Sequence, residues 1–196
     1  MNIKSINTRK FEKLDDKFKG IKFILGIGRL TKQKNFSLLI NSFKEILKRY
    51  PNLRLIILGD GEEKHKLNRL VKQLSLEKEI FLEGYKENIF NFIYNCECYI
   101  SSSLYEDPGF TLIEAGFLNK TVIAADSKTG TTEILNNSKN GFLFENNNKK
   151  SLIDEYFLYK KMDSNQIKKK KINLKNFSKN FSFFNHYKNL NQILSN

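Results

Sequence analysis

Cysteine is scarce, with only Cys96 and Cys98 in 196 residues. Standing two apart in Cys-Glu-Cys, they match neither a CxxC redox pair nor half of a zinc site. The spacing suits a strand segment carrying reduced structural thiols. No apolar run reaches the ~18–20 residues that a membrane-spanning helix needs. Residues 1–19 are polar and charged, unlike a signal peptide. A cytoplasmic protein is expected, with peripheral contact at the inner face of a membrane left open. Arginine is missing from 147–196, a stretch with eleven Lys and three acids. Specific nucleic-acid readers lean on Arg, whose planar fork binds bases and phosphates bidentately. The net charge of +13 is therefore not taken as a nucleic-acid signature. Solvated helix faces account for most of the lysine, including the run at 168–171, and loose attraction to anionic lipid is the next reading. His65 and His186 lack a partner in sequence and are expected at the surface, with no catalytic role.

What is present is a chain 40% hydrophobic with 17 Phe and 8 Tyr, enough to build a core. From residue 22, short β-like runs alternate with helical ones. Strands are expected at 22–26 (KFILG), 53–58 (LRLIIL), 79–82, 99–101, 121–125 (TVIAA) and 141–144. Between them, Phe36, Leu39, Ile40, Phe43, Leu47 and Tyr50 follow a 3.6-residue period after a potential cap at Asn35, and Pro51 ends that helix. Further helices are expected at 62–74, 89–94, 111–118, 149–161 and 181–194, the last capped by Ser182. Near-continuous apolar strands separated by helices predict an α/β fold, with a parallel sheet of about six strands covered on both faces. Residues 1–20 read as a linker and 21–196 as one domain. In such sheets ligands bind beyond the carboxyl ends of the strands, in the loops that lead into helices.

The first such loop runs from Gly26 through Gly28, Arg29 and Lys34 to Asn35. A phosphate there would meet free N–H groups, the positive end of a helix dipole and two cations. Position 31 is Thr, so a GxGxxG fingerprint fails, and no Lys-Ser/Thr follows a spaced Gly pair as in a Walker loop. Surface salt bridging accounts for Arg29 and Lys34 equally well when this loop is taken alone. The loop after the fourth strand is more informative. It turns at Pro108-Gly109 and enters a helix whose first amides, on Gly109, Phe110 and Thr111, are unpaired. Glu106 precedes that terminus and Glu114 lies about five residues inside it, roughly 7.5 Å along the axis. A diphosphate on the amides would have one carboxylate toward each end. A capping acid explains Glu106 without function, but Glu114 interrupts an otherwise buried pattern. Two carboxylates also suggest a glycoside hydrolase, yet hydrolysis needs no cationic cradle beside them. The loop 127–133, with Thr131 or Thr132 near a cap, reads as a routine strand-to-helix turn. Gly84-Tyr85-Lys86 could lie against a flat base, though an ordinary turn is the simpler reading.

In chain order, GRLTKQKN at 28–35, IILGDG at 56–61, IFLEGY at 80–85, EDPGFTLIEA at 106–115, TVIAAD at 121–126, GTTEI at 130–134 and NGFLF at 140–144 resemble the C-terminal domain of glycosyltransferase family 4, enzymes of the GT-B fold. The two glutamates separated by seven residues in that setting are the specific element. The resemblance runs from about residue 22 to the end and implies a Rossmann-like domain that binds a nucleotide-diphosphate sugar. It implies that Arg29, Lys34 and the Gly109, Phe110 and Thr111 amides stabilise the diphosphate leaving group. Glu106 would hold the transferred sugar, Glu114 the ribose, and Tyr85 and Gly28 would line the nucleotide site. It further implies retention of configuration, no metal and no other cofactor, and a glycan or lipid-linked acceptor, with surface polysaccharide one destination. The family pairs this domain with an N-terminal acceptor-binding one, and only about twenty residues precede the first strand here. Two expectations follow: a donor half that works with a separate N-terminal domain, or a truncated or non-catalytic module that binds the donor without turning it over.

Overall fold

The computed structural model describes residues 2–106, 109–127 and 130–181. Six parallel strands form one sheet: β1 (Phe23–Ile27), β2 (Arg54–Leu58), β3 (Ile80–Leu82), β4 (Cys98–Ser101), β5 (Thr121–Asp126) and β6 (Phe142–Glu145). Their spatial order is β3-β2-β1-β4-β5-β6. Gly26 stands beside Ile57, Ile24 beside Cys98, and Tyr99 beside Val122. The order reverses between β1 and β4, so the loops that follow these two central strands diverge to opposite faces and leave a crevice at the carboxyl edge.

The strands are buried on both faces because their alternate residues feed two cores. Ile24, Leu55, Ile57, Cys98, Ile100 and Ile123 pack on α2 (Phe36–Arg49), α3 (Lys64–Gln73) and α7 (Lys149–Lys161). Phe23, Leu25, Ile56, Tyr99, Val122 and Ala124 face the other way. There they meet α1 (Ile3–Arg9), α4 (Phe90–Asn95), α5 (Phe110–Phe117), α6 (Gly130–Leu135) and α8 (Ser164–Lys179). Phe36, Leu39, Ile40, Phe43 and Ile46 bring the periodic face of α2 into the first core. Truncating fully buried Phe43 to Ala there would cost about 3–5 kcal/mol.

Three expectations need correction. The first twenty residues are not a bare linker. Asn2 caps α1 by accepting from the Ser5 amide, and Ile6 and Phe18 are buried in the second core. Asn35 precedes α2 but does not cap it through its side chain. It adopts a left-handed conformation (φ 48°) and donates from Nδ2 to Asn147 Oδ1 instead. The lysine-rich run at 168–171 belongs to α8, which Asp163 caps through the Asn165 amide. Lys168 and Lys169 are exposed as expected, but Lys170 Nζ donates to the carbonyls of Ser138 and Gly141 and so ties α8 to the β6 approach. α8 sits so close to α5 that a Cβ on Gly116 would lie 2.5 Å from both Leu174 Cγ and Ser178 Oγ. All of the helix expected at 181–194 beyond Phe181, with its Ser182 cap and His186, lies outside the described residues, as do Asp107, Pro108, Lys128 and Thr129. No helix among the described residues is long and apolar enough to cross a membrane.

Candidate functional site

The loops after β1 and β4 are stitched together across the crevice. Ser102 Oγ donates to the Lys34 carbonyl (2.8 Å), Leu104 N to the Gln33 carbonyl (2.8 Å), and Gln33 Nε2 to the Tyr105 carbonyl (2.9 Å). This backbone seam delivers Lys34 Nζ to within 2.6 Å of Glu106 Oε1. Ser103 Oγ donates to the same oxygen at 2.6 Å, and Glu106 is only 5% exposed. The pair is held in a water-poor setting. Removing one member of such a pair strands the other and typically costs about 3–5 kcal/mol.

Arg29, by contrast, is exposed and forms no ion pair among the described residues. The rim on which it stands is bare backbone. Gly59 has φ 137°, and a Cβ there would lie 1.9 Å from the Gly28 carbonyl oxygen, so only glycine fits. Beyond this rim opens a cleft of about 620 Å³, lined by Arg9, Gly28, Arg29, Gly59, Tyr85 and Phe90 among others. Tyr85 is 78% exposed, so its ring is available to a ligand.

On the β4 side, Gly109 has φ 73° and starts α5 from a left-handed conformation. The Leu112 amide donates to the Gly109 carbonyl (3.0 Å), while the amides of Gly109, Phe110 and Thr111 have no backbone acceptor among the described residues. Thr111 Oγ1 lies 2.8 Å from the Tyr99 hydroxyl. One turn further, Glu114 is half-buried, and its carboxylate accepts no hydrogen bond and forms no ion pair among the described residues. Burial pushes its pKa up to about 7. Burial also raises the Tyr99 hydroxyl, and the charges of Glu106 and Glu114 add to that rise against the bond to Thr111. Both acids therefore bear on one hydroxyl.

The remaining candidates are structural. Thr131 Oγ1 donates to the Ala125 carbonyl (2.9 Å) and Thr132 Oγ1 to Asp126 Oδ1 (2.6 Å), which fixes the turn after β5. His65 is exposed on α3. Cys96 and Cys98 are free and buried, and burial pushes both thiols up, Cys96 to about 12. They are inert.

Sequence reasoning missed Arg9, Ser103 and Tyr99. The Ser101-Ser102-Ser103 run after a strand was a usable signal, because consecutive hydroxyls beside an acid supply donors to it. For Arg9 no local signal exists. It reaches the cleft only because Asn88 Nδ2 donates to its carbonyl (2.9 Å) and its guanidinium pairs with Glu12 and Glu87.

Residues 7–173 match the family described as glycosyl transferases group 1. The chain belongs to this family. It is 48% identical over 118 residues to an uncharacterised glycosyltransferase of Methanocaldococcus jannaschii, covering 60% of this chain and 29% of that one. It is 35% identical over 131 residues to the N-acetylgalactosamine-N,N'-diacetylbacillosaminyl-diphospho-undecaprenol 4-alpha-N-acetylgalactosaminyltransferase of Campylobacter jejuni, covering 67% of this chain and 35% of that one. A crystal structure of a mutant of S. aureus TarM, in complex with fondaparinux, alpha-GlcNAc-glycerol and UDP, superposes with a TM-score of 0.74 at 25% identity. That match covers 85% of this chain and 34% of TarM. The chain thus spans about a third of the length of the curated relatives it matches. Its six-stranded sheet is the Rossmann-like C-terminal half of the GT-B fold.

Proposed function

We propose that this domain binds a nucleotide-diphosphate sugar at the β1/β4 crevice and serves as the donor half of a retaining hexosyltransferase. The observation that carries the reading is the convergence on one edge of Arg29, the Lys34–Glu106 pair, the α5 amides and Glu114. The amides and Arg29 present positive charge where a diphosphate would sit, without help from a metal. As the bond from the sugar's anomeric carbon to the diphosphate breaks, negative charge grows on the leaving oxygen, and these donors hold it. Glu106, fixed by Lys34 and Ser103, accepts hydrogen bonds from the transferred sugar. Glu114 takes a ribose hydroxyl. The cleft beside Tyr85 receives the base, and its volume suits a ligand of that size.

UDP in the TarM complex supports a uridine nucleotide, and the lipid-linked acceptor in the Campylobacter enzyme's name supports a glycan or lipid-linked acceptor. We place the acceptor on a separate N-terminal domain, the setting in surface polysaccharide synthesis at the cytoplasmic side. Calorimetric titration with UDP-, GDP- and ADP-sugars tests the donor assignment. One of the three is expected to bind, and binding of none would overturn the reading.

A further inference from the structure

At the far end of α4 from the cleft lies a second, unassigned surface. Phe11 and Tyr94 stack edge to face at 5.3 Å, yet both rings are exposed, Phe11 by 67% and Tyr94 by 41%. Lys10 Nζ lies 4.8 Å from the Phe11 ring and 5.9 Å from the Tyr94 ring. Lys120 Nζ lies 5.6 Å from the Tyr94 ring and donates to the Cys96 carbonyl. A hollow of about 540 Å³ adjoins the two rings and is also lined by Lys19, by Lys13, which pairs with Asp16, and by Glu12, which pairs with Arg9.

Some lysines elsewhere are paired with acids: Lys17 with Glu83, Lys48 with Glu45, Lys64 with Asp60 and Lys66 with Glu63. Lys10, Lys19 and Lys120 have no carboxylate partner among the described residues. Burial pushes the Lys120 ammonium below its ordinary value, and the nearby Cys96 thiol opposes that fall. The patch therefore combines unpaid cationic charge with two aromatic rings left in water.

We propose that Lys10, Phe11, Lys19, Tyr94 and Lys120 form a docking surface for an anionic phospholipid bilayer. Lysine ammoniums are compact point charges suited to a field of headgroups, whereas base and phosphate recognition in nucleic acids draws on arginine forks, and this patch has none. Phe11 supplies apolar area and Tyr94 the amphipathic ring that settles at headgroup depth. Each lysine near such a surface is worth about fivefold in affinity, so the docking is reversible. Tyr94 and Phe90 stand four residues apart on α4, on the order of 6 Å, so the docked face adjoins the cleft. The inference does not depend on the donor assignment.

Vesicle sedimentation tests it, with phosphatidylcholine alone against phosphatidylcholine mixed with phosphatidylglycerol. Binding is expected only with the anionic vesicles and should weaken with added salt. Lys10→Gln with Lys19→Gln should lower affinity about 25-fold. The charge-matched pair Lys44→Gln with Lys72→Gln, on the α2 and α3 face, should change it by less than about twofold. The chain has no tryptophan, so Phe11→Trp gives a single reporter whose emission should shift to the blue on the anionic vesicles. Equal binding to neutral vesicles, equal loss in both double variants, an unshifted tryptophan, or tighter binding to single-stranded RNA would each overturn the proposal.

Discussion

Lys34 Nζ and Glu106 Oε1 meet at 2.6 Å although 72 residues separate them, and this contact closes the crevice between β1 and β4. Because both side chains are largely buried, each depends on the other for charge compensation. Lys34→Ala should lower the unfolding free energy by about 3–5 kcal/mol in urea titration. Combining Lys34→Met with Glu106→Gln removes both charges and should restore most of the loss. If the single variant were as stable as the parent, the pair would not be a buried one.

Glu114 gives a pH signature. Its pKa is raised from 4.5 to about 7 by burial, so the folded state holds a proton that the unfolded state has released. Its contribution is fully present below about 4.5 and is lost as pH rises through about 7. The slope amounts to on the order of 2–3 kcal/mol. Thermal melts of the ligand-free protein should therefore decline across that window. Glu114→Gln should flatten the decline while weakening the binding of a nucleotide sugar.

Close packing of α5 on α8 can be probed at Gly116. A Cβ at this position meets Leu174 and Ser178 at 2.5 Å, so α8 must move outward. Gly116→Ala should cost about 1–3 kcal/mol. Amide exchange should quicken along α8 and leave α2 and α3 unchanged.

The N-terminal segment is fastened to the loop that carries Tyr85. Asn88 Nδ2 donates to the Arg9 carbonyl and to Glu12 Oε2, and its Oδ1 accepts from the Phe90 amide. Lys86 pairs with Asp15, and Lys17 with Glu83. Asn88→Ala should speed amide exchange in residues 3–18 and 83–88 together, with donor affinity falling about threefold to tenfold if the loop forms the base-binding wall, the equivalent of roughly 1 kcal/mol.

The sheet was legible because each strand is a short apolar run between helical segments, and period alone separates the two. The β1–α2 and β4–α5 loops were legible as a candidate site because glycines, cations and acids stand where a sheet of this kind opens. The contacts within the site were not. Nothing local in the sequence says that Lys34 spends its charge on Glu106, or that Tyr99 reaches up from a strand to Thr111. α1 leaves no periodic signal in the sequence, because Ile6 is its one buried residue. α8 was missed because lysines occupy 168–171 and its buried positions, Leu174 and Ser178, include a hydroxyl. Lysine on a helix facing carbonyl groups, as Lys170 does, looks the same in sequence as lysine facing water.

The central claim is that a diphosphate settles at the start of α5, against the Gly109, Phe110 and Thr111 amides, with Arg29 facing it. A crystal structure with UDP bound tests this most directly. The account places the diphosphate oxygens within hydrogen-bonding distance of at least one of those amides and of the Arg29 guanidinium, with the uracil beside Tyr85. A nucleotide found elsewhere, such as on the lysines of α8, would contradict it.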